Sequence, residues 1–158
     1  MRILLAVDGS SFSDAAVSEV ASRPWPAPSE VKVVTAFQVP LIPTPEVWAI
    51  SDEYLPALER IAREQAQAIV DSAVAALAIG LDKSVTVSGE VLLGIPREAI
   101  LEEADRWEAD LIVMGSHGYG AWRGFLLGSV SRAVVTQAKC SVEVVHRRRQ
   151  GQEDQKAA

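Results

Sequence analysis

Gly115, Gly118, Gly120, Gly124 and Gly128 stand between a short apolar run, Leu111 to Met114, and a helical pattern that resumes at Ser129. Glycine reaches positive φ and leaves no Cβ between the main chain and an approaching ligand. The helix that follows opens with unpaired N–H groups and a partial positive charge. Strand, glycine loop and helix start together are how a parallel α/β sheet holds a phosphate. The run therefore points to a nucleotide. Another turn, the acidic Asp8-Gly9-Ser10, follows the apolar run Ile3 to Val7 and offers a carboxylate for ribose hydroxyls or a phosphate-bound metal. The chemistry is that of binding. No nucleophile–base pair is evident, and the two histidines, His117 and His146, lie too far apart in sequence for a metal-ligand motif.

The spacing narrows the reading. Gly115-x2-Gly118 is followed by nine residues and then Gly128-Ser129, the pattern G-x2-G-x9-G-S. This resembles the ATP-binding signature of the universal stress protein family. Three further blocks resemble that family in the same order: ILLAVDGSSFSDAAV, GIPREAILEEADRWEADLIVMGSHG and KCSVEVV. The resemblance covers residues 1 to 146 and implies a cytoplasmic, ATP-binding stress-response or regulatory protein. It implies that Asp8 contacts the nucleotide, that Ala6 lies next to the nucleoside and that Met114 stands beside base and ribose. Phe37 matches a position, usually valine, whose backbone meets adenine; that backbone recognition should survive the change, and the larger ring would narrow the pocket only if it faced it. Gly115 and Gly118 would line the phosphate path, with Gly128, Ser129 and Val130 offering N–H groups. His117, Arg123 and Arg132 are candidates to offset phosphate charge. Mg²⁺ would be held mainly through the phosphates.

Plainer roles stand beside these. Asp8 suits an Asx turn, Met114 an ordinary strand core, and Ser129 an N-cap. Two other functions compete. An ATP-hydrolysing relative would carry a loop like SGGxDS after strand one, which Asp8-Gly9-Ser10-Ser11 only brushes against. A nucleotide-free interaction protein would lack the glycine signature. A dinucleotide dehydrogenase or a P-loop kinase is excluded, because neither G-x-G-x-x-G after the first strand nor G-x4-G-K-[ST] is present.

A chain of 158 residues suits a single domain. No apolar stretch approaches the roughly 20 residues of a membrane-spanning helix, and Ile3 to Val7 is too short for a signal peptide. Cys140, the only cysteine, cannot form an internal disulfide, which fits a cytoplasmic location. A net charge of −6 disfavours nucleic acid. Residues 147–158, RRRQGQEDQKAA, read as a solvated, disordered tail after the domain at 1–146.

Apolar runs alternating with helical patterns give a Rossmann-like α/β fold with a parallel sheet. Strands are expected at 3–7, 31–37, 85–91, 111–114 and 142–146. The first helix starts near Ser11 with Ser11-x-x-Asp14 as its capping signal. A long loop occupies 38–51. An amphipathic helix follows from 52 to 79, with apolar residues at 55, 58, 62, 66, 69, 73 and 76 and Gly80 as its C-cap. Pro96 opens the next helix. The family resemblance implies the open, doubly wound strand order 3-2-1-4-5, whose switch point falls between Asp8 and Gly115. It also implies a homodimer through strand 142–146, an edge without the proline or lysine that would blunt it.

Overall fold

The computed structural model describes residues 1–39, 54–118 and 127–146. Arg123, the other residues of 119–126, nearly all of the expected loop and the tail at 147–158 lie outside them.

Five strands form one parallel sheet: β1 (Arg2–Ala6), β2 (Ser29–Phe37), β3 (Val85–Leu93), β4 (Leu111–Gly115) and β5 (Ser141–Val145). Their order is β3-β2-β1-β4-β5, as the resemblance implied. Among the described residues four helices cover it: α1 (Ser11–Ser22), α2 (Tyr54–Gly80), α3 (Pro96–Arg106) and α4 (Ser129–Gln137). Alternation along each strand divides the core in two. Ile3, Leu5, Val31, Val33 and Val113 face Val17 and Val20 of α1 and Val70 and Leu77 of α2. Leu4, Ala6, Val34, Ile112 and Met114 face Ile100 and Ala104 of α3 and Val134 of α4. Ile3, Leu4 and Leu5 are each fully buried, which is why β1 reads as an unbroken apolar run. Each such side chain contributes about 1.5–3 kcal/mol by leaving water.

Local signals were met with small shifts. Ser10, not Ser11, caps α1: its hydroxyl accepts the Ser13 N–H at 3.3 Å. Pro96 takes the first turn of α3 as expected. Along α2 the buried residues are Ala66, Val70, Ala73 and Leu77, so the stripe drifts by one position from that expected at 69 and 76. No residue from 55 to 65 is buried, and Leu55 remains 42% exposed. Length explains this. The 27 residues of α2 rise about 40 Å, whereas the nine residues of β2 span about 30 Å. The first turns of α2 therefore outrun the sheet at the carboxyl ends of its strands. Gly80 is the last helical residue rather than a cap beyond it, and a Cβ there would stand 2.8 Å from that of Ala21 in α1.

Candidate nucleotide site

Strands β1 and β4 are neighbours in register, Ala6 beside Met114. The chain leaves β1 for α1 on one face and leaves β4 towards α4 on the other. That divergence opens a crevice at the carboxyl ends of the strands. A cavity of about 470 Å³ occupies it.

Nine residues singled out by the sequence meet in its wall: Ala6, Asp8, Met114, Gly115, His117, Gly118, Gly128, Ser129 and Val130. Val7, Ser13, Ala36, Pro96, Ile100 and Ser131 join them. Sequence reasoning had placed Pro96 and Ile100 only as helix starter and core. Their place in the wall follows from α3 beginning just beyond the carboxyl end of β3, beside β2.

Phe37 is not among the described lining residues. Ala36 takes the cavity wall, and alternation along β2 turns the Phe37 ring to the opposite face. There it is buried, with the Arg63 guanidinium 5.4 Å from its centroid. Its carbonyl accepts the Gly94 N–H at 2.9 Å. The ring does not narrow the pocket. Arg132 is exposed on α4 and does not line the cavity either.

The glycines differ in what they do. Gly118 brings its main chain against Asp8, where an added Cβ would stand 2.5 Å from Oδ2. Gly115 admits the start of α1, since a Cβ there would lie 2.7 Å from the Phe12 carbonyl carbon. Gly128 has ordinary torsions, φ −58 and ψ 161, and is the N-cap of α4. Having no side chain, it leaves the first turn of α4 without a side-chain cap. The N–H groups of that turn, beside the cavity, suit an anion.

Asp8 also forms the expected Asx turn, with Oδ1 accepting the Ser10 N–H at 3.0 Å. Gly9 supports that turn with φ +76. His117 lies with its ring 5.2 Å from that of Phe12, and its Nδ1 is 3.2 Å from the Ser116 hydroxyl. Among the described lining residues, Asp8 is the only carboxylate and there is no lysine or arginine. No cluster of three metal-ligating side chains occurs among the described residues. Among the described lining residues, a divalent cation would find the Asp8 carboxylate and the Ser13 and Ser129 hydroxyls, besides the ligand's own oxygens. Cys140 packs beside the core formed by α3 and α4 rather than in the cavity, and burial pushes its thiol up. No described helix is long and apolar enough to cross a membrane.

Comparison with known proteins agrees with this architecture. The Universal stress protein family profile matches residues 1–146. A universal stress protein of Mycobacterium tuberculosis is 35% identical over 152 residues, which is 91% of this chain and 47% of that protein. The chain thus spans about half the length of that curated relative. The solved structure of a universal stress protein from Lactobacillus plantarum superposes with a TM-score of 0.73 at 26% identity, covering 92% of this chain and 97% of that one. One from Archaeoglobus fulgidus in complex with dAMP has a TM-score of 0.57 at 23% identity and covers 91% and 96%, a likeness of fold. With its fold, its crevice and its sequence in accord, the chain belongs to the universal stress protein family.

Proposed function

We propose that this protein binds an adenine nucleotide, ATP with Mg²⁺, in the crevice between β1 and β4, and that it acts as a regulatory protein of the cytoplasm. One observation carries the reading. The uncapped first turn of α4, at Gly128, Ser129 and Val130, borders the same cavity as the Asp8 carboxylate and the bare main chain of Gly118. A helix start rewards negative charge, a carboxylate suits ribose hydroxyls or a cation, and a glycine backbone lets phosphates come close. The apolar part of the wall, Ala6, Ala36, Pro96, Ile100 and Met114, suits the flat face of a base. The Archaeoglobus relative of the same fold holds an adenine nucleotide, which fits this division of the cavity.

Calorimetric titration tests it. ATP with Mg²⁺ is expected to bind more tightly than adenosine, because only ATP reaches the α4 terminus. Millimolar ATP giving no heat with folded protein would remove the proposal.

Hydrolysis is expected to be slow or absent. Asp8 already accepts the Ser10 N–H, and general-base catalysis needs a group positioned on the attacking water with a suitable pKa. Phosphate release above roughly one turnover per second, within the ordinary enzyme range, would instead place the protein among ATP-cleaving enzymes.

A further inference from the structure

The eight residues 119–126 separate the described end of β4 from the start of α4, yet a compact hydrogen-bond knot joins the two. Ser116, fully buried just beyond β4, is its centre. The Ser116 carbonyl accepts the Gly128 N–H at 2.9 Å. It also lies 3.0 Å from the Ser131 hydroxyl, which is 3.1 Å from the Gly128 carbonyl as well. On the other side, the Ser116 N–H donates to the Val145 carbonyl at 2.9 Å. Ser131 is 3% exposed and lines the cavity from the third position of the helix.

We propose that Ser131 is a positioning residue, whose hydroxyl holds the N-terminus of α4 against the end of β4 so that the first-turn N–H groups stay aimed at the phosphate of the ligand. The role rests on the nucleotide reading above. Gly128 anchors the turn only through its backbone N–H, because it has no side chain, and its bareness leaves the N–H groups that follow it to the ligand. Any side-chain anchoring must then come from further along the helix. A serine three residues after the cap reaches back to the cap carbonyl and across to the strand with one oxygen. An oxygen on the ligand side of that turn meets donors already oriented, so little ordering remains to be done when it binds. The base lies against the apolar wall and does not sense the knot.

The test is a set of titrations with ATP–Mg²⁺, AMP and adenosine on the parent, Ser131→Ala, Ser131→Thr and Ser131→Val, with thermal melts to show folding. Ser131→Ala is expected to weaken ATP and AMP by about fivefold to tenfold, the scale of one lost hydrogen bond. Adenosine should change by less than about twofold, within the scatter expected when no hydrogen bond is lost. Ser131→Thr keeps the hydroxyl and should restore phosphate binding, whereas Ser131→Val, of nearly the same shape, should not. A purely structural serine would move all three ligands together. Equal losses for ATP and adenosine, no loss in Ser131→Ala, or rescue by valine would each overturn the role while leaving the nucleotide reading intact. A folded parent that binds none of the three overturns both.

Discussion

Three glycines that look equivalent in sequence are held in place by three different neighbours, and substitution should separate them. At Gly115 a methyl would meet the Phe12 carbonyl carbon at 2.7 Å and its oxygen at 2.8 Å. Backbone cannot swing aside as a side chain can, so Gly115→Ala should destabilise by about 2 kcal/mol, the usual scale of overpacking. A melt lowered by roughly 5 °C would be the sign. At Gly118 the obstacle is Asp8 Oδ2, the end of a movable side chain. Gly118→Val should therefore melt close to the parent and lose ATP binding more than about tenfold, because Asp8 is displaced into the phosphate path. Gly128 is the third case. Its φ of −58 suits any residue, and an added Cβ would find its nearest atoms at 3.4 Å and 3.5 Å. Gly128→Val should thus fold normally and still fail to bind, since its methyls would stand at the helix start where the phosphate belongs. Gly128→Val binding ATP as the parent does would show that the phosphates lie elsewhere.

Between elements, glycine serves packing rather than ligands. Gly89 lies in the middle of β3, and a Cβ on it would overlap Val70 of α2. At the other end of the same helix, Gly80 meets Ala21 of α1. These two contacts let one long helix lie close to both its neighbours. Gly89→Val should push α2 off the sheet and destabilise by about 2–3 kcal/mol, without weakening ATP binding in protein that remains folded. A melt within a degree or so of the parent would mean that α2 shifts freely at Val70. This long-range role was invisible in the sequence, where Gly89 reads only as an alternating strand residue. The elements themselves were legible because β1 and β4 are continuous apolar runs and Pro96 marks a helix start. The cavity wall was legible in part because stretches of it are consecutive in the chain: Asp8 after β1, and Met114 to Gly118 from the end of β4 onward. What sequence missed is what alternation and tertiary contact decide. Ala36 rather than Phe37 faces the cavity, and Ser131 reaches across to Ser116 over a sequence gap that no local pattern bridges.

Among the described residues the sheet ends in two edge strands, β3 and β5, and their surroundings differ in how well they would suit pairing with a second copy. Glu90 of β3 joins Lys32 of β2 and Glu103 and Arg106 of α3 in a charge network, with Lys32 2.8 Å from Glu103 and Arg106 3.0 Å from Glu90. On β5, charge is drawn inward: Glu143 is gripped by the Arg23 guanidinium at 2.7 Å and 2.8 Å. That pairing neutralises the one acid that would otherwise deter a partner strand. Val142, Val144 and Val145 are half-buried, pack only in part against the cores, and leave apolar surface beside edge groups that no described strand pairs. A second copy laid antiparallel along β5 would satisfy both edges under a two-fold axis, the commonest arrangement of homo-oligomers. The expected state is a homodimer through Ser141–Val145. Sedimentation at tens of micromolar should show it, and Val144→Pro, which removes an edge N–H, should shift the boundary towards monomer. Because β5 also pairs with β4 beside Met114, melts of the variant must accompany the runs. A folded Val144→Pro that remains fully dimeric would assign the contact to another face, and a strictly monomeric parent would end the dimer proposal.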